Sequence, residues 1–339
     1  MKFSTMINTG PLLMVLLLAQ APKAPAQESP IWNLFSAPFE KLSSVEFEMV
    51  RRGFYDEGFL AWRNSTKFPL DPRGSKPSIR AHKYISNGPL FAYDCLSRSE
   101  DGAILISEKG AWDGSNWQRL KRLGGRNRLE IARKRQGVYE LMSSNAMPYQ
   151  EAFTFLMAPT PIPGTSPFPD SYKWVVTLES LRNPEVWKSA LARVRGEIEA
   201  ADYKGQACWV FVVDGGVGLG DRKTPLFHKV WLPIAHPSFP VRVESRSVPK
   251  NTAWIEFEVL EFSDPVLLEE GVSIRYPLKY RRTYLNAPGR NRNLPFRTEE
   301  IEIRKARFNL PLSKEAFCID ASEAIQVKNL DTGRIIRLK

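Results

Sequence analysis

Histidine and cysteine are scarce in this chain of 339 residues, with three of each. Cys95, Cys208 and Cys318 lie far apart and form no CxxC pair, which argues against a zinc site or a dithiol redox motif. Each is expected to be buried as a small hydrophobe. One long-range disulfide beside a free thiol is the alternative in an oxidising compartment, and spacing does not choose the pair. His228 and His236 stand eight apart around Trp231 and Pro233, with Asp214 and Asp221 nearby, which is not the close, oriented spacing of metal ligands. No metal and no cofactor are expected. The sequence also lacks a GxSxG elbow and any repeat of 20–50 residues, so propellers and solenoids are disfavoured. The glycines Gly215, Gly216, Gly218 and Gly220 lead to Pro225 and not to the helix N-terminus that a phosphate loop needs, so they read as a hairpin connection. The carboxylate pairs Glu269-Glu270 and Glu299-Glu300 read as solvated charge at turns and on charged strand faces. No residue is assigned a catalytic role, and the expectation is a protein that is not an enzyme.

A membrane-spanning run of roughly 20 apolar residues is missing as well. What stands at the front is shorter: Lys2 supplies a positive start, Leu12 to Ala21 an apolar stretch, and Ala24-Pro25-Ala26 a small-x-small cleavage site. Residues 1–26 therefore read as a signal peptide cleaved after Ala26, and the mature chain as periplasmic or extracellular. No cysteine follows the apolar run to carry a lipid. Cleavage removes two cations and no acids, so the formal charge falls from +11 to +9 and the protein stays basic. Such a surface suits anionic partners, an anionic envelope surface among them, while export makes nucleic acid the least suitable. The densest basic stretch, Lys121-Arg122 through Arg126, Arg128, Arg133, Lys134 and Arg135, reads as the solvated face of a hairpin.

Most of the remaining sequence alternates with period two, the mark of strands with one buried face. Val45, Phe47 and Met49 alternate with Glu46 and Glu48, and Ile255, Phe257 and Val259 with Glu256 and Glu258. Val272, Ile274, Tyr276, Leu278 and Tyr280 read as one long strand, and Ile301 and Ile303 alternate with Glu300, Glu302 and Arg304. One greasy and one charged side per strand is how an antiparallel sheet with a solvated face reads. Cys208 to Val213, apolar on both sides, is expected to be central.

Two helices stand out. Asn183 is a good N-cap, Pro184 fits the first helical position, Glu185 complements the dipole, and Gly196 stands where a C′ residue would end the helix, with Trp187, Leu191 and Val194 as its apolar stripe. The second runs from Pro148 to Met157 with Tyr149, Phe153, Leu156 and Met157 on one face. It leads into residues 158–170, where five prolines in thirteen residues forbid both helix and central strand. That segment reads as a rigid insertion in a single domain covering 27–339.

Tryptophans 62, 112, 117, 174, 209, 231 and 254 are scattered along the strands, and so few helices cannot cover a large apolar sheet face. The sheet must fold on itself or enclose an apolar cavity. Several short motifs then line up: Tyr203-Lys204-Gly205-Gln206-Ala207-Cys208 turning into a strand, the strand His228 to Pro233, Pro240-Val241-Arg242-Val243-Glu244, Trp254 to Val259, Asp113-Gly114-Ser115-Asn116-Trp117, and the closing Ala306 to Leu312 with Phe317 to Asp320. From Ile198 to the C-terminus their order resembles the LolA-like family of periplasmic lipoprotein carriers and their lipoprotein-sorting-protein-like relatives, and the upstream Asp113 to Trp117 is similar to that family's Asp-Gly-x-x-Trp hairpin. The resemblance implies a mainly β fold: a strongly curved antiparallel sheet, or half-barrel, with two or three helices over its concave face and a pocket for acyl chains.

The apolar parity of the alternating strands must point inward, because unpaired buried charges cost several kcal/mol each. Phe47, Met49, Val243, Ile255, Phe257, Val259, Val272, Ile274 and Tyr276 are the expected ligand-binding residues on that face. Tyr149, Phe153, Leu156, Met157, Trp187 and Leu191 are the expected lid. The expected ligand is a lipid, a lipoprotein acyl chain or another apolar molecule, for envelope lipoprotein or lipid transport. The alternative is a cell-envelope structural or interaction protein whose core is filled by its own side chains.

Overall fold

The computed structural model describes residues 31–65, 77–100, 102–123, 126–132, 150–156, 178–217, 225–247, 252–285, 294–322 and 324–338. Residues 1–26, Tyr149, Met157, the proline-rich segment 158–170 and Arg133 to Arg135 lie outside them. The chain divides into Met1–Ile31 and a unit running from Trp32 to Lys339. Among the described residues no helix is long and apolar enough to cross a membrane.

Strands β1 (Ser44–Tyr55), β2 (Ser78–Asn87), β3 (Leu90–Ser99), β4 (Ile104–Trp112), β5 (Trp117–Leu123) and β6 (Arg126–Ala132) are successive antiparallel neighbours. So are β7 (Val194–Tyr203), β8 (Gln206–Val217), β9 (Pro225–Pro233), β10 (Arg242–Ser247) and β11 (Thr252–Phe262). Two long strands, β14 (Pro277–Leu285) and β15 (Pro295–Phe308), join the halves in the order β11-β14-β15-β1. Past β6, β16 (Gln326–Asn329) adds the parallel pairing of the sheet, and β17 (Ile335–Arg337) ends it. The result is mainly β: a fifteen-stranded curved sheet that is not closed.

The turns follow from local chemistry. Lys204 and Gly205 both have positive φ, as a two-residue type I′ hairpin between β7 and β8 requires. Between β4 and β5, the Asp113 carboxylate accepts from the backbone N–H groups of Ser115 and Asn116 at 2.8 and 2.7 Å, while Gly114 takes φ 93°. The exposed edge β7 carries Arg195, Glu197, Glu199 and Asp202, charges that discourage further pairing.

Helices lie between these strands: α1 (Ile31–Glu40), α2 (Glu57–Asn64), α3 (Leu178–Arg182), α4 (Pro184–Leu191) and the 3₁₀ segments η1 (Gln150–Leu156) and η2 (Lys314–Phe317). The N-terminus of α4 is as expected, with Asn183 accepting from Glu185 N–H at 2.9 Å and Pro184 in the first turn. Its end is not. Ala192 closes the helix, and Gly196 lies inside β7 at φ 73°, beside a register shift between Arg195 and Glu199, so its conformational freedom serves a bulge. The expected helix from Pro148 to Met157 is described as the shorter 3₁₀ segment η1. Its backbone is kinked at Phe153, at φ −115° and ψ 17°, and Ala152, Phe153, Phe155 and Leu156 are buried.

Three other expectations are corrected. Cys208 to Val213 lies in β8, one strand from the edge, not at the centre; α1 and η1 cover its Trp209 and Phe211 face. The supposed strand from Val272 to Tyr280 is broken after Ile274. Val272 and Ile274 pair with β12 (Val266–Glu269) as β13 (Val272–Ile274), a hairpin outside the large sheet. Cys95 and Cys208 are buried free thiols, but Cys318 is exposed, because Phe317 beside it takes the buried position at the end of η2.

Candidate functional site

Register across the sheet defines an inner face, and that face has two chemically different halves. Over β8 to β11 it is apolar. Val243, Phe257, Val259, Val230 and Phe211 are all buried there, in line across paired strands. Two segments lay aromatic rings on it, and a third backs them. Phe35 of α1 packs on Trp209 at 5.7 Å and Phe211 at 6.5 Å; Phe155 of η1 meets Phe211 at 6.0 Å; Trp187 of α4 meets Phe35, Phe39, Phe153 and Phe155 at 6.0 to 6.2 Å. Phe39 and Phe153 also close on Phe239. Trp187 donates its indole N–H to Leu181 O at 2.8 Å, which ties α4 to α3. Of the expected lid residues, Phe153, Leu156 and Trp187 are buried in this cluster and Leu191 is half-buried at its margin.

The expected ligand-binding residues fall into three groups. Val243, Ile255, Phe257 and Val259 share the inner face of β10 and β11. Phe47 and Met49 occupy the same face of β1, and Phe47 packs against Tyr276 at 6.2 Å. Val272 and Ile274 belong to the separate hairpin.

The second half of the inner face is ionic, and the alternation argument overlooked it. Arg51 follows Phe47 and Met49 on β1 with the same parity; Arg282 lies opposite Phe257; Arg297 and Glu299 continue the parity of Ile301 on β15. Glu299 was read as solvated, yet it is fully buried and holds three guanidinium groups. Arg282 reaches it at 2.9 Å, Arg297 at 2.6 Å and Arg51 through Nη2, while Tyr284 Oη donates at 3.2 Å. Its neighbour Glu300 points the other way and meets Arg281 at 3.0 Å in solvent. Burial alone would raise the Glu299 pKa; Arg282, Arg51 and Arg297 outweigh it and hold the carboxyl down at about 2.

Around this cluster the same face carries Arg80, His82, Cys95, Tyr93 and Glu108. Cys95 Sγ lies 3.9 Å from His82 Nε2, but burial pushes the thiol up to about 11, so the pair is neutral and not a thiolate–imidazolium couple. Tyr93 donates to Glu108 at 3.0 Å, and its ring occupies the place a Cβ at Gly110 would take. Farther along, Arg119 and Glu130 form a buried ion pair at 2.6 Å. His228 lies over Gly215, with Nδ1 2.9 Å from Ser245 Oγ, and His236 Nε2 meets Gln206 at 2.8 Å. Among the described residues no group of three or more His, Cys, Asp and Glu side chains could hold a metal ion.

Two buried histidines set a pH response. Burial first, then the charges of Arg51, Arg80 and Arg282, push His82 down to about 3; burial and Arg193 do the same to His228. Both stay neutral in the fold where the unfolded chain, with a pKa near 6.5, binds protons. The stability they confer is therefore complete above about pH 6.5 and drains as pH falls toward 3. Denaturation midpoints measured from pH 7.5 to 4 are expected to fall steadily, and His228→Gln to flatten the curve. A midpoint independent of pH over this range would contradict the burial of both rings.

The fold and face define an open, curved antiparallel sheet with an aromatic cover over one half and a buried arginine cluster in the other. No family model matches the chain, and no curated protein matches it. Among solved structures it is similar to a DUF1329 family protein from Desulfovibrio piger, at 10% identity over 85% of this chain and 95% of that one, with a TM-score of 0.43. It is also similar to a MucA/MucB complex of Pseudomonas aeruginosa, at 9% identity over 84% of this chain and 100% of that one, with a TM-score of 0.21. The functional reading below rests on this chain's own residues.

Proposed function

We propose that this is an exported, non-catalytic binding protein that holds a lipid, a lipoprotein acyl chain or another apolar ligand against the inner face of its open sheet, in transport within the cell envelope. The observation that carries this reading is the nature of the cover. The apolar face of β8 to β11 is met by two short helical segments from distant parts of the sequence, α1 and η1, and α4 packs behind them. Helical segments can be displaced one at a time to admit a chain, whereas a second sheet would have to part as a whole. The basic mature surface favours docking on an anionic envelope surface.

The test is native mass spectrometry for co-purifying lipid, together with titration of a fluorescent fatty acid. The wild type is expected to bind saturably, and Val259→Phe, which fills space beside Phe257, to weaken binding with little loss of melting temperature. A wild type that binds no lipid, with Val259→Phe costing about 1–3 kcal/mol by overpacking, would instead establish the second reading, a structural or interaction protein with a filled core. One observation favours that second reading: Phe257 is fully buried and packs on Tyr280 at 5.3 Å.

A further inference from the structure

An apolar trough has no use for a buried arginine cluster, and this one is costly. Taking a guanidinium out of water is repaid only by an opposite charge at hydrogen-bonding distance. One carboxylate, Glu299, serves Arg51, Arg282 and Arg297. Even if the charge of Arg282 is met in full elsewhere, Arg51 and Arg297 exceed Glu299 by one. Arg51 Nε is buried and meets no hydrogen-bond partner among the described residues. The cluster is also oriented. The Arg297 guanidinium lies 5.6 Å from the Tyr55 ring and 5.9 Å from the Tyr284 ring, and Phe59 of α2 stacks on Tyr55 at 5.6 Å. Glu299 has no exposure, whereas the side chains of Arg51 and Arg297 keep 13% and 26%, so the cations retain more access to solvent than their counterion. Beside them β1 has no side chain: a Cβ on Gly53 would stand 3.7 Å from Arg297 Nη2 and 3.8 Å from Glu299 Cγ, ordinary contact distances. Finally, the site adjoins the apolar half directly, since Arg282 pairs with Phe257 and Tyr284 with Ile255 across β14 and β11.

From this juxtaposition we infer that Arg51, Arg282 and Arg297 form a receptor for the oxyanion headgroup of an amphipathic ligand, a carboxylate or phosphate, whose chain lies along Ile255, Phe257 and Val259. This rests on the binding function proposed above and adds the charge of its ligand. Guanidinium groups are the usual partners of such oxyanions because they offer paired, planar donors. Arg51, pressed by burial and by the like charge of Arg282, gains a counter-charge when the headgroup arrives.

The experiment titrates the full mature chain with three probes: a fluorescent sixteen-carbon fatty acid, its methyl ester, and inorganic phosphate as a competitor. Hydrogen bonds to charged groups contribute about 1.5–3 kcal/mol, so the acid is expected to bind at least about tenfold more tightly than the ester. Arg51→Gln and Arg297→Gln should each remove that preference, bringing the affinity for the acid down to that for the ester in the same variant. Arg297 is the more exposed of the two, so its variant keeps the test available if Arg51→Gln fails to fold. The comparison of acid with ester in the wild type needs no variant. Equal binding of acid and ester would overturn the inference while the binding function stands. Binding of neither would overturn both. Phosphate raising the melting temperature as far as the acid does would show a site for free anions and overturn the headgroup assignment.

Discussion

Glu299→Ala is expected to cost about 3–5 kcal/mol of folding stability, the loss typical of breaking a buried ion pair by removing one partner. The carboxylate is the shared counterion of Arg51, Arg282 and Arg297, so its removal leaves like charges facing one another in a site largely sealed from water. The adjacent residue is a control one position away. Glu300 is 43% exposed and its partner Arg281 41%, so Glu300→Ala should stay within about 0.5 kcal/mol of the wild type. Equilibrium denaturation of both variants at pH 7 measures the contrast. Adding Arg51→Met to Glu299→Ala is expected to recover part of the loss, because the two changes act on one network. Similar small losses for Glu299→Ala and Glu300→Ala would mean that Glu299 does not carry the cluster.

That pair of neighbours also shows where the sequence was readable and where it was not. Period two gave the strands and their apolar inner residues, from Val45, Phe47 and Met49 to Ile255, Phe257 and Val259, because each apolar side chain needs cover whatever the fold. The same parity runs on into Arg51 after Met49, into Arg282 after Tyr280, and back from Ile301 to Glu299 and Arg297. The signal was present. Charge on a strand marks the solvated face only where it is unpaired, and that rule fails where two strands supply opposite signs at one register.

Pairing of that kind is a long-range fact: Arg51 and Glu299 are 248 residues apart, and no local pattern announces their meeting. Helix α1 escaped for a different reason. Its ten residues include Pro38, a poor recommendation in a helix interior, and lie just past the expected cleavage site. Packing of Phe35 and Phe39 into the aromatic cover decides its conformation. The break between β13 and β14 was masked by the apolar parity of Val272 to Tyr280, although Pro277, the first residue of β14, marks where the chain leaves one sheet and enters another.

Phe153→Ala is the second change expected to be severe, at about 3–5 kcal/mol. Its ring has 1% exposure and lies 5.2 to 6.3 Å from the rings of Phe239, Phe39, Trp187 and Phe155, so truncation opens a cavity where α1, η1, α4 and the segment before β10 meet. Two of these contacts, with Phe39 and Trp187, are edge-to-face, a geometry that adds to the value of buried area. Leu191, half-buried at the rim of the same cover, should lose much less on truncation. Reading chemical denaturation and fatty-acid titration on both variants separates two roles. If the cover must part to admit a chain, Phe153→Ala loosens it, so that folding stability falls while the fatty acid still binds, and binds faster. If the rings simply fill a core, stability falls equally far and no fatty acid binds to either the variant or the wild type. A loss under about 1 kcal/mol for Phe153→Ala would contradict the packing itself.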